Sequence, residues 1–112
     1  MNRITAEKRV QNKIVDYFYE LQQQGELVFI ERRQAGGYSY KKGIPDLYAV
    51  VNGYHLEIEV KKPGGELSSM QEKFRDRCFK LGILWVCADK VDDVKEFVKY
   101  LLTFPSIVSK MQ

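Results

Sequence analysis

Asp46, Glu59 and Lys61 are the residues of this chain whose types and spacing could do chemistry together. Between the first two lies Val50-Val51-Asn52-Gly53-Tyr54, and Asn-Gly between apolar runs is a strong signal for a tight hairpin. With Asn52-Gly53 as a two-residue turn, Val51 faces Tyr54, and the register carried outward places Asp46 across from Glu59. Opposed residues of an antiparallel pair have Cβ atoms about 4.5–5.5 Å apart, where like charges repel. A divalent cation between them removes the conflict. Side chains alternate along a strand, so Lys61 shares the face of Glu59. Two carboxylates and a lysine converging on one sheet face are the outline of a metal-dependent phosphodiesterase site.

Magnesium prefers octahedral oxygen ligands, keeps several waters, and is typically held by one or two carboxylates plus a substrate phosphate. Asp46 and Glu59 would supply the carboxylates, and the Val60 carbonyl is a candidate third ligand. Such an ion lowers the pKa of water it binds and polarises a phosphoryl oxygen. Lys61 would orient that water and stabilise charge developing on the phosphate. Pro45 rigidifies the approach to Asp46, and Gly43 lets the backbone turn there. Glu57 shares the face but lies nearer the turn, and reads either as a second metal ligand or as a solvated side chain.

The elements that must position these groups follow from periodicity. Thr5 caps a first helix to about Gln24, with Val10, Ile14, Phe18 and Leu21 at helical spacing. Leu27 to Gln34 reads as a strand, and Ala35 to Gly43 as a Gly/Tyr/Lys loop. Asp46 to Val51 and Tyr54 to Lys62 are the hairpin arms, with Leu47, Ala49, Val51, Leu56, Ile58 and Val60 on the apolar side. Ser68 or Ser69 caps a second helix to about Leu81, burying Met70, Phe74, Cys78 and Leu81. Ile83 to Ala88 is nearly all apolar and is expected to be a strand buried on both faces. Asp92 caps a last helix that packs Val94, Phe97, Val98, Leu101 and Leu102 inward until Pro105, and the tail 106–112 is expected to be loosely held. The order α-β-β-β-α-β-α predicts an α/β domain with a mixed central sheet flanked by helices.

Composition agrees with that class. At 112 residues, 45% apolar and 29% charged, the chain reads as one soluble globular domain. It has no apolar run long enough to span a bilayer and no apolar leader, so an intracellular, cytoplasmic protein without a membrane partner is expected. Cys78 and Cys87 have no metal-ligand spacing and read as reduced core residues. His55 is the single histidine, which excludes His-rich zinc sites and argues against a His-based triad. The net charge is only +3, but the positives cluster: Lys8-Arg9, Arg32-Arg33, Lys41-Lys42 and Lys61-Lys62, then Lys73 to Lys80. Any one cluster reads equally as a solvated face. Their placement around the proposed metal site favours DNA, with Arg32, Arg33, Tyr38, Lys41, Lys42 and Lys62 as the candidate contacts. The Ala35 to Lys42 loop, basic and aromatic beside Asp46, reads as DNA-touching or as a solvated loop.

Gly43-Ile44-Pro45-Asp46-Leu47, Ile58-Glu59-Val60-Lys61-Lys62-Pro63-Gly64-Gly65 and Leu67-Ser68-Ser69-Met70-Gln71 resemble the PD-(D/E)xK nuclease superfamily. Within it the chain is similar to a VRR-NUC domain from about Glu7 to Val98. One departure is Ser69, where many members carry proline. The resemblance implies a restriction-endonuclease-like core and a DNA endonuclease dependent on Mg2+ or Mn2+, with Asp46, Glu59 and Lys61 as the catalytic motif. It also places Gln71 near the site and gives Glu7, on the first helix, a water-mediated metal contact. For Glu7 the residues alone equally suggest a first-turn glutamate favoured by the helix dipole.

Small stand-alone members of the family resemble bacteriophage enzymes that act as homodimers on four-way (Holliday) junctions. Branched DNA and a second copy of the chain are therefore the expected partners. Tyr17, Tyr19, Tyr38, Tyr40 and Tyr100 are candidates for the dimer contact. A flap or nicking endonuclease is the alternative enzyme. A catalytically idle DNA-binding module on the same fold is the alternative of another class. Its expected mark is loss of Asp46, Glu59 or Lys61, and all are present.

Overall fold

A computed structural model describes residues 4–33 and 43–105. Helix α1 spans Ala6–Gln23, strand β1 Val28–Arg32, β2 Leu47–Val51 and β3 Tyr54–Val60. Helix α2 spans Ser69–Leu81, β4 Leu84–Ala88 and α3 Val91–Leu102. The strands form one mixed sheet in the order β1-β2-β3-β4, antiparallel until β4, which joins β3 in parallel. A parallel neighbour needs a crossover, and α2 provides it.

The hairpin follows from its turn. Asn52 and Gly53 both have positive φ, 54° and 88°, the conformation that suits a two-residue loop between twisted strands. Val51 pairs with Tyr54 and Leu47 with Ile58, the expected register. Asn52 has a second task. It is buried, and its amide donates to the carbonyls of Leu101 and Phe104, tying the turn to the end of α3.

Leu47, Ala49 and Val51 of β2 and Leu56, Ile58 and Val60 of β3 are buried on one sheet face. They pack with Val10, Ile14, Val15 and Phe18 of α1 and Val94, Val98 and Leu101 of α3 in a single core. Thr5 caps α1, its side chain accepting from the Lys8 N–H at 3.1 Å. The other face of β3 carries Glu57 and Glu59 and is covered in part by α2, whose Cys78 is buried.

Four expectations differ from the structure. Strand β4 is not buried on both faces: it is an edge strand, and Leu84 to Cys87 are only half-buried because one flank lacks a neighbour. Along α2, Met70 and Leu81 are exposed, because the helix meets the sheet over its middle and only Cys78 is fully covered. Helix α3 begins after Lys90, not Asp92. Its N-cap makes no side-chain bond, and Asp93 Oδ2 instead accepts from the Asp89 N–H at 3.2 Å. The expected β1 is shorter than Leu27 to Gln34, and the tail 106–112 lies outside the described residues. Cys78 and Cys87 are free thiols. Among the described residues no helix is long and apolar enough to cross a membrane.

Candidate active site

The approach to Asp46 is built from backbone contact. Gly43 sits at φ +69°, and a Cβ there would lie 2.5 Å from the main-chain carbonyl of Met70 and 2.7 Å from the Gln71 nitrogen. Only glycine lets the chain touch the first turn of α2 at this point. Pro45 is then fully buried, and Asp46 follows immediately before β2. Carrying the Leu47–Ile58 register outward by one residue sets Asp46 across from Glu59.

These residues open onto a cavity of about 630 Å³. Asp46, Glu59 and Lys61 line it from the sheet, Glu7 from α1, and Ser68, Met70 and Gln71 from the start of α2. The structure thus brings the expected set together around one space. Lys61 is held at the strand end, its N–H donating to the Ala88 carbonyl at 2.9 Å. Val60 lies between Glu59 and Lys61 with its side chain in the core, which leaves only its carbonyl for a ligand. Gln71 has a local task as well: its Oε1 accepts from the Ser68 N–H at 2.8 Å, while Ser68 Oγ accepts from the Gln71 N–H at 3.2 Å. This reciprocal capping box fixes the first turn of α2 against Gly43.

Glu59 is the anomalous group. It is 4% exposed, and its Oε1 is buried without a hydrogen-bond partner among the described residues. Burial pushes its carboxyl up to about 7; Lys61 opposes the shift, while Asp46, Glu7 and Glu57 add negative charge around it. A buried carboxylate oxygen without a donor is costly in this state. A cation placed between Glu59 and Asp46 would satisfy it. Among the described residues no cluster of three or more His, Cys, Asp or Glu side chains forms an all-protein metal cage. The two carboxylates of Asp46 and Glu59 on an open cavity would fit an ion such as magnesium or manganese, which completes its shell with water and phosphate oxygens.

The DNA-contact candidates divide. Lys62 is exposed beside the site. Arg32 bonds to the side chains of Gln11 and Asn12 on α1. Arg33 is turned inward, contrary to the expectation: it is bidentate to Glu57 at 2.7 and 2.8 Å and lies 4.7 Å over the Tyr48 ring. The physical reason is that Glu57 is buried beneath α2 and needs a cation. Glu57 is accordingly neither solvated nor lining the cavity of Glu59. Burial raises its carboxyl, but the hydrogen bonds from Arg33 and His55 outweigh that and hold it below the usual range. Tyr38, Lys41 and Lys42 lie outside the described residues, as does Tyr40. Of the other tyrosines, Tyr19 and Tyr100 are exposed and Tyr17 is half-buried.

The Arg33–Glu57 pair was not legible from the sequence. Arg33 follows the last residue of β1, whose register against β2 is Arg32 with Leu47. Residues 33–46 separate the two strands in the sequence, and no Asn-Gly-type turn signal midway specifies that register as it does for β2 and β3.

No family model matches this chain, and no curated protein matches it. A solved structure described as "VRR_NUC domain" superposes with a TM-score of 0.68 at 21% identity, covering 87% of this chain and 98% of that one. The four-stranded mixed sheet, its flanking helices and the crossover are thus those of that domain: the chain has the VRR_NUC fold.

Proposed function

We propose that the chain is a divalent-metal-dependent nuclease that hydrolyses DNA phosphodiester bonds at the Asp46–Glu59–Lys61 cavity. The observation that carries this reading is the Oε1 of Glu59, buried without a partner among the described residues in a carboxylate that lines a cavity with Asp46, Glu7 and Lys61. Buried polar atoms of native structures are as a rule hydrogen-bonded, and this one is an exception that a cation would account for. The likeness to a solved VRR_NUC domain supports the same reading.

Asp46 and Glu59 would hold Mg2+ or Mn2+, with the Val60 carbonyl as a third ligand and Glu7 acting through water. The ion supplies Lewis acidity toward a phosphate oxygen. Among the described residues that line the cavity, Lys61 carries the positive charge. It orients the attacking water and stabilises the negative charge that builds on the phosphate as the P–O bond to the leaving group breaks. Gln71 lines the same wall and can donate through Nε2, since its Oε1 is engaged by Ser68. Lys62, with the basic residues of the loop before Gly43, would follow the DNA backbone.

The substrate we propose is branched DNA, with the four-way junction as the preferred form. A chain with one such cavity cuts one strand, and paired cuts on a symmetric junction need two copies related by a twofold axis. Cleavage of a labelled four-way junction, with flap and linear duplex controls, in Mg2+, Mn2+ or EDTA, tests this. Paired symmetric nicks on the junction alone are expected. Cutting of flaps or duplex instead would keep the nuclease and discard the junction. No metal-dependent cutting by folded protein would leave a DNA-binding module.

A further inference from the structure

Arg33 is bonded twice to the main chain that carries Asp46. Its N–H donates to the Asp46 carbonyl at 2.7 Å, and its Nη1 donates to the Pro45 carbonyl at 2.7 Å. The same guanidinium is gripped from the other side, Nη1 and Nη2 donating to Glu57 Oε1 and Oε2 at 2.7 and 2.8 Å. Glu57 is held in turn by His55 Nε2, whose ring stacks on Tyr48 at a centroid separation of 5.2 Å. A planar guanidinium can fill these positions at once, and an ammonium cannot. Asp46 precedes the first paired residue of β2 in the β2–β3 ladder. Its carbonyl takes the next rung of the β1–β2 ladder from the Arg33 N–H, a bond any residue at 33 can make, and the bond to the Pro45 carbonyl is the one that needs the guanidinium.

We infer that Arg33, clamped by Glu57, is a positioning residue for the proposed metal site: it sets the Pro45–Asp46 main chain so that the Asp46 carboxylate stands opposite Glu59. The inference rests on the nuclease reading above. Neither Arg33 nor Glu57 lines the cavity, so both act on a metal through Asp46 alone. Losing a group that orients a metal ligand typically weakens metal affinity or activity about 10- to 100-fold.

The test uses two variants. Arg33→Met combined with Glu57→Gln removes both charges and leaves neither buried alone. Arg33→Lys keeps the charge and loses the fork. Mn2+ affinity is measured by calorimetry without DNA, beside DNA binding in EDTA and cutting rate against Mn2+ concentration. The double variant is expected to bind Mn2+ about 10- to 100-fold more weakly. It should bind DNA in EDTA as the wild type does, and regain cutting as Mn2+ is raised to saturation. A pair that only stabilised the fold would lower the thermal midpoint and leave Mn2+ affinity unchanged. A folded double variant with wild-type Mn2+ affinity overturns the inference, and if the double variant does not fold, Arg33→Lys is judged by the same criterion.

If neither variant folds, exchange of the guanidinium protons in the wild type decides. Mg2+ should slow exchange at Arg33 Nη1, because its bond to the Pro45 carbonyl and the metal stabilise one another reciprocally. Unchanged exchange overturns the inference. Wild-type protein that neither binds Mn2+ nor cuts DNA overturns the nuclease reading beneath it.

Discussion

Glu57 and Glu59 stand two residues apart on the same face of β3, and each is only 4% exposed. Their surroundings are opposite. Glu57 has Arg33 on both oxygens and His55 beside one, and its carboxyl lies below the usual range. Glu59 has an oxygen with no donor among the described residues, three neighbouring acids, and a carboxyl pushed up to about 7. A single strand thus carries one buried carboxylate completed by the protein and one left incomplete. The first fixes the structure. The second is where a cation from solution would complete the set.

The comparison breaks most sharply at the site itself. Glu59→Ala and Asp46→Ala are each expected to reduce DNA cutting to background while leaving binding in EDTA largely intact. Cutting by either variant at the wild-type rate would remove that residue from the site. Lys61→Ala should lower the single-turnover rate about 100- to 1,000-fold and change Mn2+ affinity much less. An unchanged single-turnover rate would contradict the role assigned to the ammonium.

Stability of the metal-free protein should respond to the two glutamates with opposite sign. The raised carboxyl of Glu59 binds a proton more tightly in the folded state than in the unfolded one. Its contribution is therefore fully present below pH 4.5 and is lost as pH rises through about 7. At pH 8, without metal, Glu59→Gln is expected to stabilise the fold by up to about 3 kcal/mol. The lowered carboxyl of Glu57 works the other way, its contribution being present at neutral pH and lost as pH falls through its depressed value. Glu57→Gln should destabilise by about 2 kcal/mol at pH 8, since Arg33 loses a charged partner. Urea melts in EDTA across pH 4 to 8 would show both signs. Two variants moving in the same direction would erase the contrast.

A separate effect, on the fold and the site together, is expected at Gly43→Ala. The positive φ costs about 1 kcal/mol, and the close approach to the Met70 carbonyl adds to it. The start of α2 should shift away from Asp46, so cutting should fall along with the thermal midpoint. Full activity in Gly43→Ala would show that this contact does not position the cavity.

The legible parts of the molecule were those with local signals. Asn52-Gly53 specifies a turn, the turn specifies the register, and the register sets Asp46 across from Glu59 without any tertiary information. The α1 cap and the apolar sides of β2 and β3 were readable for the same reason, and the α2 cap was narrowed to Ser68 or Ser69, of which Ser68 is the one. What escaped depended on contacts between distant segments. That β4 lies at an edge is a property of the whole sheet, and an apolar run looks alike at an edge or in the middle. Arg33 reads as a free surface cation beside Arg32 until β1 is docked, and only then does it meet Glu57 across 24 residues of chain. The start of α3 at Lys90 escaped because Asp92 has the residue type of a cap, while Asp93 bonds the Asp89 N–H instead.

In the proposed nuclease the Glu59 carboxylate is completed by a metal. Calorimetric titration of Mn2+ at pH 8 into the wild-type protein and Glu59→Gln tests it most directly. The account predicts saturable binding to the wild type and affinity more than about tenfold weaker in the variant. Equal affinity in the two proteins, or no binding to a folded wild type, would contradict it.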